Sequence, residues 1–256
     1  MAVFITGASS GLGLALAKHY STQGHTVGLV ARRVDRLESL AKQLPGSVHI
    51  YVVDVRDRQA LHAAAKNFLS KVSRIDIVIA NAGVSAGTLT ECDEDFEVFK
   101  DIFDINVLAM VATFEPFVPI MARQAQGTLV GIASVAGVRG LPGAGAYSAS
   151  KSAVTTYCES LRLELKPRGV DVVTIAPGYV KSEMTVKNPY SMPFLLDTDE
   201  FARRAAKAIA AKRRYAVIPW QMAIVARLMR LLPPWLYDRF AINAPRKPRR
   251  QTPDHG

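Results

Sequence analysis

The sequence predicts an α/β fold in which a parallel sheet is covered by helices on both faces, the doubly wound arrangement. Short apolar stretches alternate with longer stretches of helical periodicity as far as Ile218. The apolar stretches are nearly continuous in Val, Ile, Leu and Ala, which is typical of parallel strands buried on both faces. A glycine-rich turn follows the first of them and opens the first helical stretch.

The first half of the chain contains regular strand and helix repeats. Strand 2–5 runs directly into the glycine turn, and the apolar periodicity of helix 12–24 stops at a glycine. Strand 26–31 precedes helix 35–44, whose first turn carries the acidic residue Asp35. The repeats that follow are strand 48–53, helix 58–71 and strand 75–80.

The second half continues the alternation with one longer helical region. Residues 94–122 are acidic at their start and keep a helical period, and each later strand is again a short apolar run. No composition break, repeat or linker divides the chain before residue 200, so we expect a single domain over residues 1–218. The remaining predicted elements are strand 128–133, helix 146–165, strand 171–175, helix 200–211 and strand 215–218.

Composition limits the class of protein. A chain of 256 residues with 49% hydrophobic residues can bury the core of one large α/β domain. Cys92 and Cys158 lack the spacing of a disulfide framework or a metal site, which predicts a reducing compartment and no bound metal. Neither a secretory leader pattern nor an uninterrupted apolar run of ~18 residues is evident, so we expect a cytoplasmic protein without a spanning helix.

The spacing of one Ser, one Tyr and one Lys predicts acid/base chemistry. Tyr147 and Lys151 lie one helical turn apart on the same face of helix 146–165, and Ser134 follows an apolar strand. Lowering a phenol pKa from ~10 towards ~7 takes about 4 kcal/mol. One cation at ~4 Å in a partly buried site supplies roughly that amount. The alternative is a chance Tyr-x-x-x-Lys on an ordinary helix.

A second pattern predicts a dinucleotide site. In TGASSGLG, residues 6–13, glycines at Gly7, Gly11 and Gly13 allow a tight turn, close approach of a pyrophosphate and helix–strand packing. The strand before the turn and the helix after it meet the requirement of this fingerprint.

Together these motifs resemble a classical short-chain dehydrogenase/reductase, a family with a Rossmann-type fold, over nearly the whole chain. The resemblance implies that Asn106, Ser134, Tyr147 and Lys151 act together. Tyr147 would exchange a proton with the substrate oxygen, Ser134 would hold that oxygen, and Lys151 would bind the nicotinamide ribose. Asn106 would hold a water linked to Lys151, although an Asn in a helix also binds backbone. The motifs that carry the resemblance are residues 6–13, Asp54-Val55, Asn81-Ala82-Gly83, Asn106, Ser134, Tyr147-Ser-Ala-Ser-Lys151 and Pro177-Gly178.

The resemblance also implies the residues that bind the cofactor. Asp54 corresponds to the adenine-side contact, while Val180 and Ser182 fall where the carboxamide and phosphates are expected; the family often has Thr at the position of Ser182. The expected cofactor-binding set is Gly7, Ser9, Ser10, Gly11, Leu12, Gly13, Arg32, Arg33, Asp54, Val55, Asn81, Ala82, Gly83, Tyr147, Lys151, Pro177, Gly178, Val180 and Ser182.

The end of the second strand predicts the choice of cofactor. An NAD site needs a carboxylate there for the ribose 2′-hydroxyl, but the sequence has Arg32 and Arg33. Guanidinium groups suit a 2′-phosphate, so the expected cofactor is NADP(H). The alternative is that both arginines are solvated residues before a helix.

The substrate end is expected to be apolar. Three loops supply substrate walls in the family, and here they contain residues 84–89, 135–142 and 184–196. The last includes Tyr190, Met192, Phe194, Leu195 and Leu196, which favours an apolar ketone or alcohol, long-chain or cyclic.

The C-terminal region carries the basic charge. Residues 201–256 have 13 Lys and Arg against 2 Asp and Glu, whereas residues 1–200 are close to neutral. The pattern of residues 219–244 predicts an amphipathic helical extension whose helix stops at Pro233-Pro234. The composition of residues 245–256 predicts a basic disordered tail. One interpretation is a helix over the active-site mouth or an oligomer contact; the other is a Trp-bearing helix that touches an anionic inner membrane surface. The sequence contains no motif that reads nucleic acid, so we do not expect the protein to bind DNA or RNA.

These observations predict an NADP(H)-dependent oxidoreductase that interconverts a carbonyl and a secondary alcohol on an apolar, lipid-like or cyclic substrate. We expect a homodimer or homotetramer, as is common in the family. The alternative function is a catalytically silent dinucleotide-binding sensor or scaffold that acts through the basic C-terminal region.

Overall fold

The computed structural model describes residues 1–186 and 191–249. Within these residues seven parallel strands form one sheet in the order β3-β2-β1-β4-β5-β6-β7, which confirms the predicted fold class. The strands are β1 (Ala2–Thr6), β2 (Thr26–Ala31), β3 (Val48–Val52), β4 (Ile77–Ala80), β5 (Thr128–Ile132), β6 (Asp171–Pro177) and β7 (Tyr215–Ile218).

Helices cover both faces of this sheet. The apolar faces of α1, α2 and α8 form one core layer with it, and α3, α5 and α7 contribute to the other. The helices are α1 (Gly11–Thr22), α2 (Val34–Gln43), α3 (Arg58–Leu69), α4 (Asp95–Phe103), α5 (Ala109–Phe114), α6 (Val118–Gln124), α7 (Gly145–Leu165), α8 (Thr198–Ala210), α9 (Trp220–Leu231) and α10 (Pro234–Ala241).

The strand order reverses at β1, which pairs with β2 on one side and β4 on the other. In an open parallel sheet the loops at the carboxyl ends of the strands separate at this point and leave a crevice. The glycine turn after β1 and the Asn81 turn after β4 therefore lie on the two sides of the same crevice.

The long acidic region is not one uniform helix. A π-helical turn, Asp104–Leu108, separates α4 from α5, and the chain breaks again between α5 and α6, where Pro116 lies. The stretch Asp95–Gln124 is long and apolar enough to span a membrane by length and composition, but 50% of its apolar window is buried in this fold. A helix that packs its apolar side chains into a protein core has the same length and composition.

The C-terminal region differs from the prediction in two respects. The predicted helix does end near Pro233, but Pro234 begins a second helix, α10, as proline is tolerated in a first helical turn. The prediction of a disordered tail from residue 245 is wrong for residues 245–249, because the backbone of Gly87 donates to Pro248 O and Arg249 forms ion pairs. Residues 250–256 lie outside the described part of the chain.

Candidate active site

The glycine turn joins β1 closely to the start of α1. Gly7 has a φ of 69°, and a Cβ on Gly13 would lie 2.3 Å from the carbonyl oxygen of Gly7. Larger residues at these positions would force the turn apart. Asn81 fixes the turn from β4, since its side-chain amide donates to the carbonyl oxygen of Thr6 at 2.9 Å. The open backbone N–H groups at the start of α1 form the kind of site that binds an anion.

The turn lies along a cleft of about 510 Å³ at the carboxyl ends of the strands. All predicted cofactor-binding residues except Gly13 line it, and so do Ser134, Tyr147 and Lys151, whereas Asn106 does not. A single cleft thus contains both an anion-binding helix start and the predicted acid/base group. The predicted lining residues are Gly7, Ser9, Ser10, Gly11, Leu12, Arg32, Arg33, Asp54, Val55, Asn81, Ala82, Gly83, Ser134, Tyr147, Lys151, Pro177, Gly178, Val180 and Ser182.

Arginine side chains surround one end of the cleft. Arg33 follows β2 and donates to the hydroxyl of Ser9 at 3.2 Å and to Glu183 at 3.2 Å. Arg32 is 60% exposed and lies 3.8 Å from Asp54. Hydrogen bonds from Arg56 hold the pKa of Asp54 below its usual range. Arg33 therefore lies at the wall of the cleft, and its guanidinium forms an ion pair with one carboxylate, that of Glu183.

Sequence reasoning missed Glu183 and Thr185. Glu183 also pairs with Arg36 of α2, and these ion pairs bring the loop after β6 to the end of β2. Thr185 donates to the carbonyl oxygen of Val180 at 2.7 Å and accepts from the backbone of Ser182 at 2.9 Å. The Ser-x-x-Thr spacing was a visible sign of this local turn, whereas the partners of Glu183 depend on the tertiary fold.

Ser134, Tyr147 and Lys151 meet where β5 ends and α7 begins. Ser134 caps a short 3₁₀ turn by accepting from the backbone of Ala136 at 3.1 Å. The Lys151 ammonium donates to the carbonyl oxygen of Ile132 at 2.8 Å and lies 5.9 Å from the centre of the Tyr147 ring. Tyr147 is partly buried at the wall of the cleft.

The ionisation of this group differs from the simple expectation. Burial raises the pKa of Tyr147, while its hydrogen bond with Ser134 acts in the opposite direction. Burial also lowers the pKa of Lys151 to about 8, since its ammonium is removed from water. The ammonium donates to the end of β5 and not to the phenol, so the expected lowering of the Tyr147 pKa by Lys151 is not present in this arrangement.

Asn106 lies in the π-helical turn behind the cleft. Its side chain accepts from the backbone N–H of Val84 at 2.8 Å and donates to Val84 O and to Ser150 Oγ. This is the backbone-binding arrangement that the sequence left open. Gly83 lies between Asn106 and Lys151, because a Cβ there would be 3.2 Å from Asn106 Oδ1 and 3.5 Å from Lys151 Nζ. A role for Asn106 in holding water stays a prediction.

The C-terminal region lies beside the substrate end of the cleft. Met222 of α9 packs against Gly178, and the Tyr237 hydroxyl of α10 donates to Gly140 O at 2.7 Å. The guanidinium of Arg139 lies 4.2 Å from the centre of the Tyr237 ring. Of the apolar substrate loop, Met184 and Phe194 are exposed, while Tyr190 falls outside the described residues.

The family model for short chain dehydrogenases matches residues 1–191. The chain belongs to this family. An uncharacterized oxidoreductase of Myxococcus xanthus is 38% identical over 240 residues, which are 93% of this chain and 94% of that protein. The 3-oxoacyl-[acyl-carrier-protein] reductase FabG of Rickettsia conorii is 35% identical and covers 72% of this chain and 74% of its own length. Levodione reductase has the same fold, with a TM-score of 0.78, 24% identity and coverage of 87% and 97%.

This short-chain dehydrogenase is an oxidoreductase that uses a nicotinamide dinucleotide. The cleft fits such a group, because the narrow turn at Gly7 and Gly13 leaves the start of α1 open towards it. The helix start would hold the pyrophosphate, and Lys151 and the loop after β6 would hold the nicotinamide half. The family match ends before α8, so α9, α10 and residues 245–249 come from the part of the chain beyond it.

Proposed function

We propose that this protein catalyses the NADP(H)-dependent interconversion of a carbonyl compound and a secondary alcohol. The observation that carries the proposal is the cleft itself. Ser134, Tyr147 and Lys151 form one part of its wall, and the glycine turn at the start of α1 forms another. A proton-transfer group and a dinucleotide site that share one cleft suit hydride transfer.

Each side chain has a distinct part in this reaction. Ser134 and Tyr147 hydrogen-bond the substrate oxygen and hold it in place. In reduction, the C=O π bond breaks, the carbon receives a hydride and the oxygen takes the phenolic proton of Tyr147. A dihydronicotinamide held in the cleft would supply that hydride and be oxidised. Lys151 provides a positive charge near the phenolate that remains, and the reverse steps oxidise the alcohol.

The arginines after β2 support NADP(H) as the cofactor. Arg33 is held at the wall of the cleft by Ser9, so a guanidinium is available where the ribose 2′ position is expected. Glu183 competes for this guanidinium, but it is exposed and shared with Arg36. A dianionic 2′-phosphate would replace the Glu183 carboxylate as the partner of Arg33, because it carries more negative charge.

An apolar substrate is supported by the loops around the cleft. Met184, Phe194 and Leu195 expose large apolar surface in the described part of the loop after β6. One relative is named as a reductase of 3-oxoacyl groups, which are ketones attached to an acyl chain. We infer a ketone or alcohol with an apolar body, either a chain or a ring.

We also propose a cytoplasmic protein that touches the inner membrane surface through α9 and α10. Together these helices expose Trp220, Leu231, Trp235 and Phe240 by 63% to 74%. Exposed Arg227, Arg230 and Arg239 on the same two helices would attract anionic lipid. Exposed Phe96, Leu108 and Leu163, on the helical stretch from α4 to α5 and on α7, support assembly into a homodimer or homotetramer.

Tyr147→Phe tests the reaction. The variant should lose turnover of ketones by at least about 10²-fold, because general acid catalysis contributes that much, while its Kd for NADPH stays within a few-fold of the wild type. Tyr157→Phe, on the same helix, is the matched control and should keep its activity. A variant at Tyr147 with unchanged turnover would contradict the proposal and favour the silent dinucleotide-binding protein.

A further inference from the structure

Residues 245–249, here called the C-terminal strap, lie across the substrate side of the fold. The carbonyl oxygen of Pro248 accepts from the backbone N–H of Gly87 at 2.9 Å, and Gly87 forms an isolated parallel bridge with Arg249. The stem of Arg246 lies against Gly143. The strap thus contacts two loops that border the substrate end, one after β4 and one after β5.

Arg249 fastens the end of the strap. It forms two hydrogen bonds with Asp95, at 2.8 and 3.1 Å, and one with Glu94 at 2.5 Å. The Asp95 side chain is only 3% exposed and also accepts from the backbone of Leu89. Because this ion pair and the Pro248 bond are independent of Lys247, they hold the strap in place without it.

Lys247 directly precedes these two attachments, and its side chain reaches Ser85. Its ammonium donates to Ser85 Oγ at 2.8 Å, and Ser85 lines the cleft. The same ammonium is 5.6 Å from the centre of the Tyr147 ring. Among the described residues no carboxylate forms a salt bridge with Lys247, and the two acidic groups that hold the strap, Glu94 and Asp95, pair with Arg249.

Lys247 is partly buried, and its surroundings disfavour its positive charge. Burial lowers the pKa of Lys247 to about 8, which is the direction expected for an ammonium removed from water without a counter-charge. The hydroxyl of Ser85 accepts one hydrogen bond but carries no charge, and an ammonium has three protons to donate. Two donors therefore remain beside Ser85, which lines the same cleft as Tyr147, although Lys247 itself lies just outside the cleft wall.

We propose that Lys247 binds an anionic group of the substrate, so that the preferred substrate is an oxo acid or hydroxy acid with an apolar body. This inference rests on the proposed function and specifies its substrate class. The carboxylate would lie a few bonds from the reacting carbon. The Tyr147 hydroxyl binds the reacting oxygen, and the Lys247 ammonium is 5.6 Å from the centre of the same Tyr147 ring. The redox step is the one already described, and the carboxylate passes through it unchanged.

The first experiment measures binding without turnover. Calorimetry on the NADPH complex compares octanoate with octanamide, which differ in charge and little in shape. The wild type should bind octanoate at least about tenfold more tightly, a difference of ~1.4 kcal/mol. Lys247→Met should reduce this ratio to near one, and Lys247→Arg should retain most of it. Arg246→Met, which removes a neighbouring charge of the strap, is the control and should keep the preference.

The second experiment measures specificity during turnover. NADPH oxidation is followed with 4-oxononanoate and with its methyl ester, and the ratio of kcat/KM is compared between wild type and Lys247→Met. A wild-type ratio above about ten that falls with the variant supports the inference. An equal kcat/KM for acid and ester, or a preference that survives Lys247→Met, overturns it while the proposed function stands. If neither ketone is reduced but the octanoate preference depends on Lys247, the anion site stands and the reaction is wrong.

Discussion

Tyr147 is the residue on which the proposed reaction depends, and two positively charged side chains lie close to it. Two ammonium groups, those of Lys151 and Lys247, lie 5.9 and 5.6 Å from the centre of its ring. Burial nevertheless raises the pKa of the phenol and lowers the pKa of each ammonium. Desolvation therefore dominates the ionisation of all three groups here, and the proposed reaction requires Lys151, while it is charged, to stabilise the phenolate as it forms.

The pH dependence of alcohol oxidation should therefore report on Lys151. The reaction needs the phenolate, so kcat/KM should rise with pH in the wild type, and Lys151→Met should lower it about 10²-fold at pH 7. The pKa of Lys151 is about 8, so the lysine loses its charge above that pH and the gap between the two proteins should narrow. Profiles from pH 6 to 10 measure this gap, and parallel profiles would contradict the assignment.

Arg33 is the second residue whose role can be measured alone. Charge-assisted hydrogen bonds to a phosphate contribute roughly 1.5 to 3 kcal/mol, so Arg33→Ala should weaken NADPH binding by about one to two orders of magnitude. Binding of NADH, which lacks the 2′-phosphate, should change less than about threefold. Cofactor fluorescence titrations measure both values, with Arg123→Ala on the exposed surface of α6 as the control. An equal loss for both cofactors would rule out the 2′-phosphate contact.

At the scale of elements, the strands and most helices were predictable because burial imposes a period on the sequence. Every strand from β1 to β7 lies within a predicted stretch or extends it by one or two residues. The π-helical turn and the start of α10 were not predicted. The π-helical turn interrupts a stretch whose apolar period predicts one continuous helix, and packing decides it. The start of α10 lies at Pro234, where the sequence predicts that the helix stops.

The C-terminal strap shows why a polar segment can be misjudged. Its sequence is basic and rich in proline, with no apolar period, and such composition predicts disorder. Its order comes from partners far away in the chain: Arg249 and Asp95 are 154 positions apart. The same reason explains why Glu183 was missed at the other end of the cleft, whereas local motifs were enough to select Ser134, Tyr147 and Lys151, which all line the cleft.

Gly87 allows the position of the strap to be tested without changing any charge. A Cβ on Gly87 would lie 2.2 Å from the carbonyl oxygen of Lys247, so Gly87→Ala must displace the strap backbone. We expect tryptic cleavage after Arg246 to become several-fold faster, measured by mass spectrometry of the released peptide. Gly140→Ala is the matched control, because a Cβ there meets nothing within 4 Å. Equal cleavage rates in the two variants would show that the strap does not lie against Gly87.

At the scale of the whole molecule, charge and exposed apolar surface are concentrated in one region. The C-terminal 56 residues carry a net charge of +11 and the rest of the chain −1. The helices α9 and α10 belong to this basic part and bury only a few side chains, such as Met222 and Ala226. Their contacts with Gly178 and Gly140 place this surface next to the entrance of the cleft.

This distribution predicts binding to anionic membranes. The protein should sediment with vesicles that contain phosphatidylglycerol at physiological salt and much less with phosphatidylcholine alone, because each exposed arginine near the surface contributes about 1 kcal/mol. Replacing Leu228 and Leu231, which are 59% and 74% exposed, by Glu should abolish sedimentation by removing apolar surface and adding like charge. Val52→Glu, at an apolar residue on β3 that is 51% exposed, should leave it unchanged. Sedimentation that is absent in the wild type, or insensitive to the two leucines, would instead assign α9 and α10 to the cover of the active-site mouth or to a contact between subunits.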